Sequence, residues 1–410
     1  MNILMLGWEL PPHNSGGLGV ACYQMAKQLA IDGVTIDFVV PYRADHGIDF
    51  MTIHHAIDMA PEALATHGAY DSACYSCDDQ ASCDHDVPTS LREQQQHYIK
   101  RIEQIVAATQ PDVIHAHDWL TFEAGIRAKE LTGKPLVAHV HATEFDRSGE
   151  HHGNPLVHEI EYNGLLMADR IIAVSQITKD IIVKEYNIPA DKIEVVHNSV
   201  DVADYQSLED ENTYRYLTAM KQRGYTVVVS VGRLTVQKGY RYLLEAAKRA
   251  IDKEPKLLFM LAGSGELRDE LLLRSAELGI AENVLFTGFV RGKAWRDVYT
   301  IGDIFIMPSV SEPFGLVALE AAGHHNAVLL SKQSGAAEVL HNVLKFDFWD
   351  TETQASQIVD IAHYNSLKTT LTDMITYEFN RLSWQKAADQ FQKIYSQLST
   401  TEVLMAKALA

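Results

Sequence analysis

Residues 2–29, NILMLGWELPPHNSGGLGVACYQMAKQL, decide the fold. Asn2 to Leu6 is a continuous apolar run, and such a run, unlike an alternating one, reads as a strand covered on both faces. Gly7 to Gly19 is a glycine-rich loop, and from Val20 through Leu29 the apolar residues fall at helical spacing. Strand, glycine loop and helix start is the opening unit of a parallel sheet. The alternation continues outward through Val34–Val40, Val113–Ala116, Leu136–Val140, Arg170–Val174 and Ile193–Val196, with helical patterns between most of them. This predicts a Rossmann-like doubly wound α/β half.

The pattern weakens over the polar stretch Asp201 to Gly224 and restarts with Thr226–Val231, Leu257–Ala262, Val284–Thr287, Asp303–Met307 and Ala327–Leu330. The restart predicts a second α/β domain. Trp384, Ala387, Ala388, Phe391, Ile394, Tyr395 and Leu398 recur at helical intervals, so a packed amphipathic helix is expected over Ser383 to Leu398. The expected division is therefore 1–205 for an acceptor-binding domain, 206–382 for a nucleotide-sugar-binding domain and 383–410 for a helical segment. In open parallel sheets ligands bind beyond the carboxyl ends of the strands, so the expected site is a cleft faced by both domains.

The chain has 410 residues, 47% hydrophobic and 22% charged, which fits about two or three packed cores. Its net charge of −19 is uneven: residues 1–200 hold 13 Lys+Arg against 28 Asp+Glu, and the remainder 22 against 26. An acidic first half disfavours phosphate backbones and anionic headgroups, so nucleic acid and membrane are poor partners. No apolar run approaches the roughly 20 residues that span a bilayer, no basic leader precedes the first strand, and four cysteines are no disulfide framework. The expected compartment is the cytoplasm.

Three segments carry chemistry. The loop around Gly16 and Gly17 opens a helix, where free amides and the dipole favour an anion; it reads either as a phosphate loop or as a bare turn. The same two readings hold for Gly263-Ser264-Gly265. Val231 to Gly239 is again strand, loop and helix start, with Arg233 and Lys238 five residues apart: a planar fork and a point charge suited to a diphosphate. Ser311-Glu312-Pro313-Phe314-Gly315-Leu316-Val317-Ala318-Leu319-Glu320 places two carboxylates eight residues apart. With a helix beginning near Gly315, Glu320 lies about a turn inside it among apolar neighbours, and Phe314 to Leu316 offer backbone amides.

Together with His141-Ala142-Thr143-Glu144-Phe145-Asp146-Arg147-Ser148-Gly149, these segments resemble, in order and over nearly the whole chain, the retaining nucleotide-sugar glycosyltransferases of family 4, which have the GT-B fold. The resemblance implies that Arg233 and Lys238 bind the donor diphosphate and stabilise its leaving charge. Glu312 would lie near the transferred sugar, Glu320 would hold the ribose hydroxyls, and the amides of Phe314, Gly315 and Leu316 would meet sugar and phosphate. Gly17, beside Gly16, would face the diphosphate from the first domain. His141 would contact the donor sugar, and Asp118, in His115-Ala116-His117-Asp118-Trp119, resembles an acceptor-side acid of glucan synthases. The implied reaction is a front-face, oxocarbenium-like transfer in which the departing phosphate takes the acceptor proton. It uses a nucleoside-diphosphate sugar as co-substrate and calls for no metal and no further cofactor.

Within the family the motifs are closest to glycogen and starch synthases. Asn14 stands where bacterial glycogen synthases carry Lys, Glu320 where they usually have Tyr, and Gly323 to Val328 lacks their Cys-Gly-x-Pro, so the donor base stays open. An acidic acceptor domain favours a neutral glycan or soluble sugar as acceptor. Two rivals share the architecture: a nucleotide-sugar epimerase and a non-catalytic nucleotide-sugar sensor. Cys74, Cys77, Cys83 and His85 read either as a structural zinc set or as a loop with free thiols. The paired histidines His54/His55, His151/His152 and His324/His325 suggest that most of the 19 His are on the surface.

Overall fold

A computed structural model describes the chain except residues 14–15, 59, 61–89, 150–152, 206–210 and 410, and the side chains of 400–409. The Cys74, Cys77, Cys83 and His85 set falls outside the described residues, as do Asn14, His151 and His152. The chain forms two compact units, one of residues 1–147, 152–198 and 384–410 and one of 148–151 and 199–383. The change of unit thus falls between Asn198 and Ser199, and the C-terminal helix belongs to the first unit.

The first unit holds a seven-stranded parallel sheet, ordered β3-β2-β1-β4-β5-β6-β7. Its strands are β1 (Asn2–Leu6), β2 (Thr35–Val40), β3 (Thr52–His55), β4 (Val113–His117), β5 (Leu136–Val140), β6 (Arg170–Ala173) and β7 (Ile193–Val195). β1 is an interior strand, pairing Met5 with Phe38 of β2 on one side and with His115 of β4 on the other. Sequence order reverses between β1 and β4, so the crevice beyond their carboxyl ends is the unit's switch point. Helices start where the sequence supplies a cap. Ser90 and Glu93 form a capping box on Leu91–Thr109, and the Asn154 side chain accepts the Leu156 amide ahead of Pro155. The helix Trp384–Leu409 lies within the expected 383–410 segment, runs past the amphipathic stretch that ended at Leu398, and packs Phe391 and Tyr395 against the rings of His115 and His139.

The second unit holds a six-stranded parallel sheet, ordered β10-β9-β8-β11-β12-β13. The strands are β8 (Thr226–Val231), β9 (Leu257–Ala262), β10 (Val284–Gly288), β11 (Ile304–Met307), β12 (Ala327–Ser331) and β13 (Leu344–Phe346). Val228, Phe259, Leu261, Ile304, Ile306 and Leu329 of the sheet are buried with Tyr240, Leu243, Leu244 and Ala247 of the helix Tyr240–Lys253. Each large apolar side chain so enclosed contributes roughly 1.5–3 kcal/mol. Order reverses between β8 and β11, which makes the loops after these two strands the second switch point. β3 and β13, unanticipated from sequence, lie at sheet edges. No helix among the described residues is long and apolar enough to cross a membrane.

Candidate functional site

In the second unit the expected donor residues gather at the switch point. β8 ends at Val231, Arg233 follows, and the turn Val236–Lys238 leads through Gly239 into the helix Tyr240–Lys253. Gly239 has φ 70°, and a Cβ there would lie 2.0 Å from the Pro308 carbonyl oxygen, so only glycine fits. The Val310 amide donates to the Gln237 carbonyl at 2.8 Å, which fastens the Lys238 turn to the loop after β11. Across that joint Lys238 Nζ meets Glu312 Oε2 at 2.6 Å, with side chains only 18% and 8% exposed. Ser309 Oγ donates to the same oxygen at 3.0 Å. The backbone of Glu312 is fixed as well, its amide donating to the Gln333 carbonyl and its carbonyl accepting from Gly335.

Gly315 (φ 98°) precedes the helix Leu316–Gly323, so the amides of Gly315 and Leu316 stand at a helix start, where the first turn's N–H groups have no partner within the helix. Phe314 is buried, its carbonyl accepting from the Ala336 amide at 2.6 Å. Glu320 lies within that helix, and the Tyr299 hydroxyl donates to its Oε2 at 2.6 Å. Burial pushes the Glu320 carboxyl up to about 7, the Tyr299 hydrogen bond offsetting part of the rise. Gly263 and Gly265 serve packing. A Cβ on Gly263 would meet the Gly232 carbonyl oxygen at 1.8 Å, and the Leu234 amide donates to Ser264, so the loop after β9 braces the Arg233 loop.

In the first unit the loop after β1 is organised by Glu9, whose Oε2 accepts the Gly16 amide at 2.9 Å. A Cβ on Gly16 would sit 3.1 Å from that carboxylate, whereas one on Gly17 would meet nothing within 4 Å. Gly16 is thus engaged with Glu9, and Gly17, at the start of the helix Gly17–Ile31, leaves the loop surface bare.

His141 directly follows β5 and is 8% exposed. Its amide donates to Asp118 Oδ1 at 2.6 Å, and the Ala142 amide reaches the same oxygen at 3.4 Å. Asp118 is 1% exposed, so in this structure it anchors the His141 backbone. Burial lifts its carboxyl to about 7 against the opposing pull of Arg147 and the two amides. Burial also lowers His141 to about 3, so the ring is neutral at any working pH.

Sequence reasoning missed what surrounds His141. Arg147, expected only as part of a motif, is a largely buried strut that pairs with Glu144 at 3.1 Å and with Glu161, while the Tyr186 hydroxyl also donates to Glu161. Four histidines, of which only His141 was expected in the site, are buried together: His115, His117, His139 and His141. His115 Nε2 and His139 Nδ1 share a hydrogen bond at 3.2 Å, His117 Nδ1 and His141 Nε2 one at 3.1 Å, and Tyr395 lies 2.6 Å from His115 Nδ1. The signal was present as His115-x-His117 and His139-x-His141, since a spacing of two puts both side chains on one face of a strand.

The model for glycosyl transferases group 1 matches residues 220–354, and that for glycosyltransferase family 4 matches residues 78–204. An uncharacterized glycosyltransferase of Methanocaldococcus jannaschii is 30% identical over 351 residues, 83% of each chain. The glycogen synthase of Mycobacterium tuberculosis is 27% identical, over 83% of this chain and 80% of that one. Among solved structures, Anabaena HepE in complex with UDP and glucose superposes with a TM-score of 0.71 at 19% identity, covering 97% of this chain and all of that one.

Proposed function

The chain belongs to the family 4 glycosyltransferases and has the GT-B fold, and from that premise we propose that it is a retaining hexosyltransferase. It moves a hexose from a UDP-, ADP- or GDP-linked donor to a hydroxyl of a glycan or small acceptor, with an α-glucan of the glycogen type as the first acceptor to try. The observation that carries this reading is the Lys238–Glu312 pair, held at 2.6 Å between the loops after β8 and β11. A cation built into such a crevice, beside Arg233, suits a diphosphate whose charge grows as it leaves.

On donor binding Lys238 exchanges part of its contact with Glu312 for phosphate oxygens, and Arg233 supplies a second, forked set of donors. Glu312 then lies beside the transferred sugar, where its negative charge stabilises an oxocarbenium-like centre. The amides of Gly315 and Leu316, with Phe314, meet sugar and phosphate, and Glu320 accepts from ribose hydroxyls. Gly17 presents bare backbone to the diphosphate, and Gly16, its amide held by Glu9, shapes the loop beside it. His141, being neutral, exchanges a hydrogen bond with a sugar hydroxyl without placing positive charge near the developing cation. Asp118 enters on the acceptor side as the group that fixes His141. The departing phosphate takes the acceptor proton, so no protein base is required in this path.

Support for a glucan acceptor comes from the similarity to glycogen synthase and from the acidic first half, which disfavours anionic lipid acceptors. The test is nucleoside-diphosphate release from UDP-, ADP- and GDP-hexoses, with and without a short malto-oligosaccharide, followed by proton NMR of the product. Release that rises with glucan and an α-linked product from an α-linked donor is the expected result. A β-linked product overturns retention, and release indifferent to glucan overturns the glucan acceptor.

A further inference from the structure

The ring cluster beneath His141 contains a residue with no part in the transfer reaction. Cys22, on the helix Gly17–Ile31, is buried as a free thiol. Its sulfur and one ring nitrogen each of His117 and His141 lie within 4.8 Å of one another. The three come from rigid elements: the helix after the glycine loop, the last residue of β4, and the position after β5. His117 Nδ1 and His141 Nε2 are already 3.1 Å apart, close to the roughly 3.3–3.8 Å between neighbouring ligand atoms that tetrahedral zinc with bonds of about 2.0–2.3 Å requires. His117 Nε2 and His139 Nε2 are buried without a hydrogen-bond partner among the described residues. Buried imidazole nitrogens are rarely left so, and these mark the ring cluster as a polar lining that the protein's own groups do not fully satisfy.

We propose that Cys22, His117 and His141 form a binding site for a thiophilic divalent ion, zinc by its donor set. One thiolate sulfur and two imidazole nitrogens make the N2S donor set that favours zinc over magnesium or calcium. Binding forms one sulfur–metal bond and releases the Cys22 proton to solvent. The rings bind through lone pairs and stay neutral, and no oxidation change occurs. The Asp118 carboxyl, bonded to the His141 amide, lies beside the added charge. Because His141 becomes a ligand, zinc withdraws it from the donor sugar and inhibits transfer; this consequence alone rests on the role proposed for His141.

The test uses the full chain, stripped with chelator and titrated with Co(II) as a spectroscopic probe and with Zn(II) against a chromophoric chelator. Three proteins are compared: wild type, Cys22→Ser, and a variant carrying Cys74→Ser, Cys77→Ser and Cys83→Ser. The expected result is a thiolate-to-Co(II) charge-transfer band in wild type and in the triple variant. Cys22→Ser should lack the band, bind Zn(II) at least roughly tenfold more weakly and keep its basal transfer rate. A band that persists in Cys22→Ser, a band lost in the triple variant, or cobalt bound with no sulfur band, as the His115, His117 and His139 group would bind it, overturns the site. His117→Gln provides a second variant, expected to weaken binding in the same way should Cys22→Ser fold poorly. A Cys22-dependent band without inhibition upholds the site and removes the sugar contact of His141 instead.

Discussion

The two switch points are built on the same topology and filled with opposite chemistry. In the second unit, the loops after β8 and β11 carry Lys238 against Glu312, with the titratable Glu320 carboxyl under the Tyr299 hydroxyl in the helix beyond. In the first unit, β1, β4 and β5 end in bare glycine backbone and neutral imidazoles, with the Asp118 charge turned inward onto the His141 amide. A parallel sheet fixes where loops converge but not what they carry. Under the proposed reaction this amounts to a division of labour, in which the charged unit grips the diphosphate while the other meets neutral hydroxyls and offers the phosphates only bare glycine backbone.

The sharpest break of this comparison lies in buried charge. In the first unit such charge is structural, so Arg147→Met, which strands Glu161 in the interior, should cost about 3–5 kcal/mol of unfolding free energy by denaturant titration. An unchanged midpoint would remove the strut from the account. In the second unit it serves the proposed transfer: Lys238→Ala or Glu312→Ala should lower kcat by about 10²–10³-fold while the circular dichroism spectrum is kept. Near-normal turnover in either folded variant would contradict the site assignment.

Glu320 sharpens the comparison through pH. Its folded pKa of about 7 lies above the ordinary 4.5, so the protonated form is favoured by folding, and stability is lost as pH rises from about 4.5 through 7. Glu320→Gln should therefore gain roughly 1–3.5 kcal/mol at pH 8 and nothing at pH 4, the upper figure being the full shift at about 1.4 kcal/mol per unit. Donor KM should fall as pH rises through 7 in wild type and stay flat in Glu320→Gln; parallel profiles would deny the carboxylate its role. The smallest effect expected is from Tyr395→Phe, which leaves His115 Nδ1 without its partner and should cost on the order of 1 kcal/mol in denaturant titration.

Much of this was legible in sequence because parallel strands buried on both faces are written as continuous apolar runs. Asn2–Leu6, Leu136–Val140, Thr226–Val231 and Leu257–Ala262 appear in the structure with the expected bounds. β3, with the sequence Thr-Ile-His-His, and the three-residue β13 were not, since edge strands are short and need no apolar run. Lys238, Glu312 and Glu320 were legible as residue types at fixed spacing. Their partners were not: Tyr299 reaches Glu320 from 21 residues away, Arg147 reaches Glu161 over 14, and Tyr395 reaches His115 over 280. Pairings of that separation are set by packing, which local pattern does not encode. The imidazole cluster lay between these cases, visible as two His-x-His pairs yet meaningful only once β4 and β5 were known to be neighbours.

The central claim is that the charged switch point supplies the main grip on the diphosphate, the glycine loop of the neutral one adding backbone alone. Calorimetric titration of UDP, ADP and GDP into wild type, Lys238→Ala and His141→Ala tests it most directly. The account predicts that the nucleotide bound best by wild type binds at least about tenfold more weakly to Lys238→Ala, the cost of one charged contact, and with little change to His141→Ala. Equal affinity in wild type and Lys238→Ala, or a loss confined to His141→Ala, would contradict it.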